Sequence, residues 1–166
     1  RSVNGADIAD GYNKTLRKRE APYLMQLDEA GLPAIERRVF GAVYKGVTDF
    51  MTKYAWPGLA FHLTRLANAL RMTPHRVTTI GLILCILATW LFWRGDFLAG
   101  CLAGWVFCVL DTVDGKLARV TFQSSKIGDI YDHGIDLVHP PIWYWAWGLA
   151  ASQNSGEAAG LFAVIM

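Results

Sequence analysis

The sequence predicts an all-α protein, a polytopic bundle of membrane-spanning helices preceded by amphipathic juxtamembrane helices. Three long segments lack Asp, Glu, Lys and Arg altogether: 77–93, 97–110 and 137–155. Runs of this kind favour helices that cross the hydrocarbon core, about 30 Å thick, over the core of a soluble protein. Charged residues make up only 18% of the 166-residue chain, against about 25% in a typical soluble domain. This composition excludes a disordered or disulfide-stapled chain, and a net charge of only +2 gives no reason to expect a nucleic-acid partner.

The chain divides into three predicted parts. Residues 1–32 are polar and irregular, and we expect a linker or the edge of a missing N-terminal part. Residues 33–72 carry apolar stripes at helical spacing from Pro33 and from Pro57, with basic residues between them. Such amphipathic helices typically lie at the headgroup level, here on the cytoplasmic side. Residues 73–166 form the predicted transmembrane domain, which we expect to be truncated at its C-terminus because the chain ends within an apolar run.

Local signals mark the first membrane helix. Thr73 is a predicted N-cap, and Pro74 suits the first helical position because its missing N–H has no partner there in any case. The helix is predicted to run to Trp93, which gives it a length of roughly 30 Å. The sequence 94–96, Arg-Gly-Asp, then predicts a tight turn.

Two further membrane helices and the start of a fourth are predicted after this turn. The second helix covers 97–120, and a polar loop separates it from a third helix over 127–151. Pro140 and Pro141 are expected to bend the third helix. A turn over 152–157 then precedes the fourth helix, which the chain only begins.

Basic residues gather at one end of the predicted bundle, whereas the other end has only Arg94. The gathered residues are Arg65, Arg71, Arg76, Lys116, Arg119 and Lys126. Because cytoplasmic ends of membrane helices carry an excess of Lys and Arg, this end is predicted to face the cytoplasm.

Four aspartates lie within the predicted membrane helices, near that cytoplasmic end. Asp111 and Asp114 are spaced i,i+3, and Asp132 and Asp136 are spaced i,i+4, so each pair shares one face of its helix. A carboxylate at the bilayer centre costs roughly 2.5–3.5 kcal/mol, and four at a comparable depth repel one another. Hard divalent cations that take oxygen ligands, Mg²⁺ or Mn²⁺, would offset this charge. Two such ions would also leave coordination positions open for a phosphate.

Small residues and a cation lie beside these aspartates. Gly115 and Ala118 each follow an aspartate of the first pair by one turn, and Gly128 precedes Asp132 by one turn. Their small side chains leave room for a ligand against the helices. Arg119 supplies a fixed cation for phosphate oxygens. The alternative interpretation is that the aspartates cap helices or form ion pairs with neighbouring basic residues.

These residues together form a motif. The pattern Asp111-x2-Asp114-Gly115-x2-Ala118-Arg119-x8-Gly128-x3-Asp132-x3-Asp136 resembles the signature of the CDP-alcohol phosphotransferases, also called CDP-alcohol phosphatidyltransferases, at all eight positions. Eight residue types at fixed spacings make the motif specific. The segments 44–49 and 132–141 are also similar to a bacterial subgroup of this family, for which the resemblance leaves the substrate open. The resemblance covers 73–151 well and the preceding part loosely.

The resemblance implies an integral membrane enzyme of phospholipid biosynthesis with six transmembrane helices, of which this chain would hold three and the start of a fourth. Such an enzyme transfers a substituted phosphoryl group from a CDP-alcohol to an acceptor hydroxyl and releases CMP. The donor would be CDP-diacylglycerol or a soluble CDP-alcohol, and membrane lipids would surround the protein. The implied location is the bacterial inner membrane, with the active site facing the cytoplasm. The acceptor and a homodimeric state stay open.

The resemblance also assigns roles to the motif residues. Asp111, Asp114 and Asp132 would hold two divalent cations, Mg²⁺ or Mn²⁺. Asp136 would be both a metal ligand and the general base that takes the acceptor's proton. The cytidine and diphosphate would lie against a set of binding residues: Gly115, Ala118, Arg119, Gly128, Thr73 and His75.

Two histidines complete the predicted site. His75 departs from the family, which often has Asn after the Thr-Pro pair; His could still bond a phosphate, and its effect on activity is left open. His139 lies on the same helix face as Asp136 and is expected to orient that carboxylate. The alternative for His139 is a polar residue packed at the proline bend.

Three other functions make different demands on the sequence. A nucleotide-binding but inactive homologue would keep the motif without turnover, and His75 is the reason to consider it. A divalent-cation transporter also uses membrane carboxylates, but it would spread them along the membrane normal. An intramembrane prenyltransferase would need a further Asp where this chain has Ala118.

Overall fold

The computed structural model describes residues 12–13, 18–19, 24–46 and 50–155. This part of the chain is predominantly helical, so the predicted all-α class is confirmed. Its helices are α1 (Leu32–Ala42), a π-helical turn (Met51–Ala55), α2 (Pro57–Ala69), α3 (Pro74–Trp93), α4 (Phe97–Val120) and α5 (Lys126–Ser155). Two short strands, β1 (Tyr12–Asn13) and β2 (Lys18–Arg19), pair in antiparallel fashion.

The helices α3 and α4 begin and end where the local signals predict. Pro74 opens α3 directly after Thr73, whose backbone is extended (φ −83°, ψ 152°). The Thr73 hydroxyl makes no capping hydrogen bond, so this residue marks the helix boundary without capping it. By length and composition, α3 and α4 are the two helices of the described part that could span a membrane.

The C-terminal half of α5 differs from the prediction. The helix continues through Ser155, so the turn predicted from Ser152 is wrong for the four residues 152–155. Ser152 is accommodated because its hydroxyl donates to the Leu149 carbonyl of the same helix (2.8 Å). Pro140 and Pro141 also lie inside α5, which continues past both. The predicted fourth membrane helix lies outside the described residues.

Close contacts join α3 to α4 and α4 to α5 in the half of the bundle away from the aspartates. A Cβ atom added at Gly100 would lie 2.5 Å from the Phe92 ring, and one at Gly104 would lie 2.7 Å from the Trp143 ring. Since real Cβ atoms essentially never approach so closely, a side chain at either position would force the ring or the helices to shift. Small residues that let helices approach are typical of membrane helix packing.

A buried apolar cluster lies beside the predicted site and joins the amphipathic helices to the membrane helices. Four of its members come from α3 and α4, and the others from α1, α2 and the residue before α2. They are Val77, Val109, Val113, Leu117, Phe40, Trp56, Ala60 and Ala67. The end of α1 is therefore packed against α4 close to the aspartates.

Three helices end abruptly, each followed by a residue in a left-handed conformation. Arg71 (φ 52°), Gly95 (φ 80°) and Phe122 (φ 56°) follow the ends of α2, α3 and α4 in a left-handed conformation. The residue after each donates back to the last turn; after Phe122, the Gln123 N–H bonds the Ala118 carbonyl (2.8 Å). This is a Schellman-type ending, which glycine favours and other residues adopt at a cost of roughly 1–2 kcal/mol. Because α4 stops so abruptly, α5 starts close to it.

Candidate active site

Three of the four predicted aspartates meet between α4 and α5. Asp111 and Asp114 project from α4 and Asp132 from α5, and each offers a carboxylate oxygen within 4.8 Å of the other two. Asp114 is buried, and the other two are half-buried. Three carboxylates at this spacing could bind a divalent metal ion, and a donor set made only of oxygen suits Mg²⁺ or Mn²⁺.

Asp114 is oriented by a residue that the sequence analysis missed. The hydroxyl of Thr78 on α3 lies 2.5 Å from Asp114 Oδ2 and donates a hydrogen bond to it. The same hydroxyl lies 3.1 Å from the Pro74 carbonyl one turn earlier. Threonines inside helices commonly bond their own backbone, so the sequence carried no signal that Thr78 reaches a carboxylate on another helix.

Asp136 lies one turn beyond Asp132 on α5 but outside the cluster of three carboxylates. Its side chain is exposed and lines a cavity together with Asp111 and Asp132. The arrangement leaves Asp136 accessible to a molecule in that cavity. Its predicted role as a metal ligand stays a prediction.

Two cavities open on either side of Gly115 and Asp132, which line both. The smaller, about 40 Å³, lies between the N-terminus of α3 and the loop before α5. Its wall includes predicted nucleotide-binding residues and their neighbours: His75, Asp114, Ala118, Ser125, Gly128 and Asp129. The larger, about 180 Å³, lies toward the end of α1. Its wall is made of acidic, basic and hydroxyl-bearing residues, among them Tyr44, Lys45, Asp111, Lys116, Arg119 and Asp136.

This geometry coincides with a family assignment. Residues 71–166, more than half of the chain, match the CDP-alcohol phosphatidyltransferase family. The chain belongs to this family. The matched segment contains α3, α4 and α5, and therefore every aspartate of the site. With two apolar helices of membrane-spanning length, this phosphatidyltransferase-family chain is part of an integral membrane protein.

Individual relatives are similar over part of their length. Cholinephosphotransferase 1 from Xenopus laevis is 27% identical over 144 residues, 77% of this chain and 34% of that protein. Cholinephosphotransferase 1 from Gallus gallus is 34% identical over 133 residues, 71% of this chain and 38% of the relative. Archaetidylinositol phosphate synthase from Pyrococcus horikoshii is 39% identical over 69 residues, 41% of this chain and 36% of the relative. The alignments thus cover only 34% to 38% of the length of these curated relatives.

Gly128 of the family motif allows α5 to approach α3. A Cβ atom at this position would lie 3.1 Å from His75 Cε1 and 3.1 Å from Ser125 Oγ. The Ser125 hydroxyl in turn accepts the Gly128 N–H (3.0 Å). His75 is exposed and forms part of this wall of the smaller cavity. Gly128 therefore leaves room for the His75 ring.

Arg119 of the family motif lies on the other side of the site from Ala118 and Gly128. Its guanidinium folds back over its own helix, so that a Cβ atom at Gly115 would lie 3.4 Å from Nη2. Its Nε–H is buried and has no hydrogen-bond partner among the described residues. Because the side chain lines the larger cavity and not the smaller one, Arg119 does not share a cavity with His75, Ala118 and Gly128, whereas Gly115 lines both.

Lys116 is buried rather than exposed at the membrane surface. Its side chain is only 2% exposed, and its ammonium lies 3.1 Å from the centroid of the Tyr44 ring and 5.6 Å from that of Phe40. A desolvated cation over aromatic rings is strongly held. From the sequence alone Lys116 contributes only its charge, because the aromatic residues that contact it, in α1 and just after it, come from a distant part of the chain.

Thr73 and His139, the two remaining predicted residues, line neither of the two cavities beside the carboxylates. Thr73 is exposed next to Pro74 and does not line either cavity of the described part. The Nδ1 atom of His139 bonds the Ile135 carbonyl of its own helix (2.9 Å), and the ring packs edge-on against Phe107 and Trp143. These contacts favour the alternative of a packed polar residue, and the expected support of Asp136 stays a prediction.

Proposed function

We propose that the protein containing this chain is an integral-membrane CDP-alcohol phosphotransferase. It transfers a substituted phosphoryl group from a CDP-alcohol to an acceptor hydroxyl and releases CMP, as a step of phospholipid biosynthesis. The observation that carries the proposal is the group of three carboxylates within 4.8 Å of one another, set between two cavities in a chain of this family. The printed names of the relatives, a cholinephosphotransferase and an archaetidylinositol phosphate synthase, support the same class of reaction.

We further propose that Asp111, Asp114 and Asp132 hold two divalent cations, Mg²⁺ or Mn²⁺, with Asp136 as an additional ligand. When bound, the cations supply positive charge next to the diphosphate and so stabilise the departing CMP. The all-carboxylate donor set supports this assignment. Thr78 donates its hydrogen bond to Asp114 Oδ2, so Asp114 Oδ1 does not accept from this hydroxyl.

In this proposal Asp136 is the general base. The acceptor oxygen loses its proton to Asp136 and forms a bond to the phosphorus of the alcohol phosphate. The bond between that phosphorus and the bridging oxygen of the diphosphate breaks, and its electron pair leaves with CMP. The exposed position of Asp136 on the wall of the larger cavity supports a role at the acceptor side.

The nucleotide is proposed to lie on the side of the smaller cavity, against Gly115, Ala118 and Gly128. Small side chains there, with the His75 ring next to Gly128, suit close contact with a phosphate. Thr73 is proposed to contribute from the helix boundary. The donor would be CDP-diacylglycerol or a soluble CDP-alcohol. We also propose a cytoplasm-facing site in the bacterial inner membrane.

The direct test is CMP release from a labelled CDP-alcohol by the full-length protein. Asp136→Asn is expected to lower the rate at least 100-fold, because general-base catalysis typically contributes about 10²–10⁴-fold. Asp96→Asn is the matched control: Asp96 is exposed at the far end of the bundle, 3.6 Å from Arg94. If no member of a panel of donors and acceptors gives CMP, the chain belongs to an inactive homologue and the proposal is wrong.

Metal binding can be measured without turnover, as a change in the melting temperature of the protein. Without cations, Asp111, Asp114 and Asp132 repel one another, so Asp111→Asn is expected to raise the melting temperature in EDTA. Mn²⁺ is expected to raise the melting temperature of the wild type by several degrees and to have little effect on the variant. Equal Mn²⁺ responses in the two proteins would contradict the assigned ligands.

A further inference from the structure

We propose that the larger cavity selects an acceptor alcohol that itself carries a phosphate group, and that Tyr44, Lys45 and Arg119 hold this phosphate. The inference rests on the proposed function and names the acceptor class. It arises from the chemistry of the cavity wall, which carries both acidic and basic residues.

The wall of the cavity includes three carboxylates, Asp111, Asp132 and Asp136, and it also carries Lys45 and Arg119. A neutral alcohol needs only the carboxylates, where its hydroxyl would lose a proton. A phosphate would be repelled by the three carboxylates unless cations faced it as well. The basic residues of the wall therefore have a purpose if the acceptor is anionic at one end and has a free hydroxyl at the other.

Two buried donors in this wall lack protein partners. Arg119 Nε and Tyr44 Oη are both inaccessible to water and have no hydrogen-bond partner among the described residues. Leaving a buried donor unpaired costs about 1–3 kcal/mol, which a ligand with acceptor oxygens would recover. Burial also raises the pKa of the Tyr44 hydroxyl above its ordinary value of 10.0, so the group stays protonated and able to donate at neutral pH.

The wall is also held in a defined position. The Lys116 ammonium lies under the Tyr44 ring, 3.1 Å from its centroid, and Phe40 packs edge-on against the same ring with centroids 5.5 Å apart. The Lys116 ammonium thus holds the Tyr44 ring in place and adds a positive charge next to it. Gly115 lets the Arg119 guanidinium lie against α4. Donors from three separate residues suit the three terminal oxygens of a phosphate better than the two oxygens of a carboxylate.

The size of the cavity fits a small polar molecule. Its volume is about 180 Å³, below the roughly 300–1,000 Å³ of sites that take drug-sized ligands. A phosphorylated polyol of a few carbons is in this range, whereas the tails of a lipid acceptor would have to lie elsewhere.

The test compares matched acceptors with the full-length protein: a polyol phosphate, its parent polyol, and an amino-acid alcohol with a carboxylate. For glycerol 3-phosphate, glycerol and serine, kcat/KM is expected to be at least 100-fold higher for the phosphate. Tyr44→Phe and Lys45→Gln are each expected to raise the acceptor KM about tenfold and to leave the donor KM unchanged.

Matched control variants come from the π-helical turn, where Lys53 and Tyr54 repeat the same two residue types. The Lys53 ammonium lies 5.2 Å from the centroid of the Tyr54 ring, and neither residue lines the cavity. Tyr54→Phe and Lys53→Gln should therefore leave the acceptor KM unchanged. A rise in the donor KM with Tyr44→Phe would overturn the inference, since the wall would then serve the nucleotide.

Equilibrium binding separates this inference from the proposed function. CMP release with glycerol or serine at an equal or higher kcat/KM would leave the function standing and refute the phosphate-bearing acceptor. If no CMP appears but glycerol 3-phosphate binds, with an affinity that Tyr44→Phe weakens and Tyr54→Phe does not, the cavity is assigned correctly and the transferase function fails. No binding and no preference for the phosphate would refute the inference outright.

Discussion

The Thr78 hydroxyl of α3 contacts a carboxylate of the candidate active site. Asp114 is the most buried of the three clustered carboxylates, and Thr78 on the neighbouring helix donates to it at 2.5 Å. A hydrogen bond of this kind restricts the Asp114 side chain to one orientation beside Asp111 and Asp132. Partners that orient a metal ligand typically matter by about 10–100-fold in metal affinity or activity.

Thr78→Val should therefore lower CMP release by about tenfold and raise the Mg²⁺ or Mn²⁺ concentration needed for half-maximal rate. Valine keeps the branched shape but removes the donor, and Thr78→Ser should restore most of the activity. Thr79→Val is the control, because within the described part of the chain the Thr79 hydroxyl bonds the His75 carbonyl of its own helix (2.7 Å) and no carboxylate. Identical metal dependence in the Thr78 and Thr79 variants would show that the bond to Asp114 does not matter.

Between the helices, the decisive contacts are close approaches to glycine. Trp143 of α5 lies over Gly104 of α4, packs edge-on against Phe92 and Phe107, and donates its indole N–H to the Cys85 carbonyl of α3 (3.3 Å). This side chain connects three helices. The position of α5, and with it of Asp132, therefore depends on the space above Gly104.

Gly104→Ala is expected to lower the free energy of unfolding by about 1–3 kcal/mol, the usual cost of overpacking, because the new Cβ would lie 2.7 Å from the Trp143 ring. Gly134→Ala on α5 is the matched control, since no atom of the described residues lies within 4 Å of its added Cβ. There, alanine should be neutral or stabilise by up to about 1 kcal/mol. Denaturant unfolding in detergent measures both; equal shifts in the two variants would disprove the packing argument.

The orientation of the protein in the membrane depends on charge at the two ends of the bundle. Arg65, Arg71, Arg76 and Lys126 are exposed at the end that holds the aspartates. Burial removes Lys116 from this surface charge, but the remaining asymmetry still favours a cytoplasmic location for that end.

Cysteine labelling checks this orientation. In a background without the three native cysteines, Asp96→Cys should react with a membrane-impermeant maleimide in intact spheroplasts. Ser124→Cys, in the loop between α4 and α5, should react only after lysis. The reverse pattern would place the active site on the outer side of the membrane.

The long charge-free runs, the Thr-Pro start and the Arg-Gly-Asp turn predicted the bounds of α3 and α4 correctly, because helix periodicity and chain-breaking residues act over a few neighbouring positions. The same reasoning failed at 152–155, where polar residues that usually form turns continue the helix. The π-helical turn over Met51–Ala55 also had no counterpart in the prediction.

The types and spacing of Asp111, Asp114, Asp132 and Asp136 were enough to predict an oxygen-rich site, since i,i+3 and i,i+4 pairs share a helix face wherever the helix lies. Packing alone decided that three of them meet while Asp136 lines the larger cavity, that Arg119 faces that same cavity, and that Thr78 bonds Asp114 across 36 positions of sequence. Such contacts depend on how α3, α4 and α5 are rotated and brought together, and a spacing within one helix carries no information about its rotation against another.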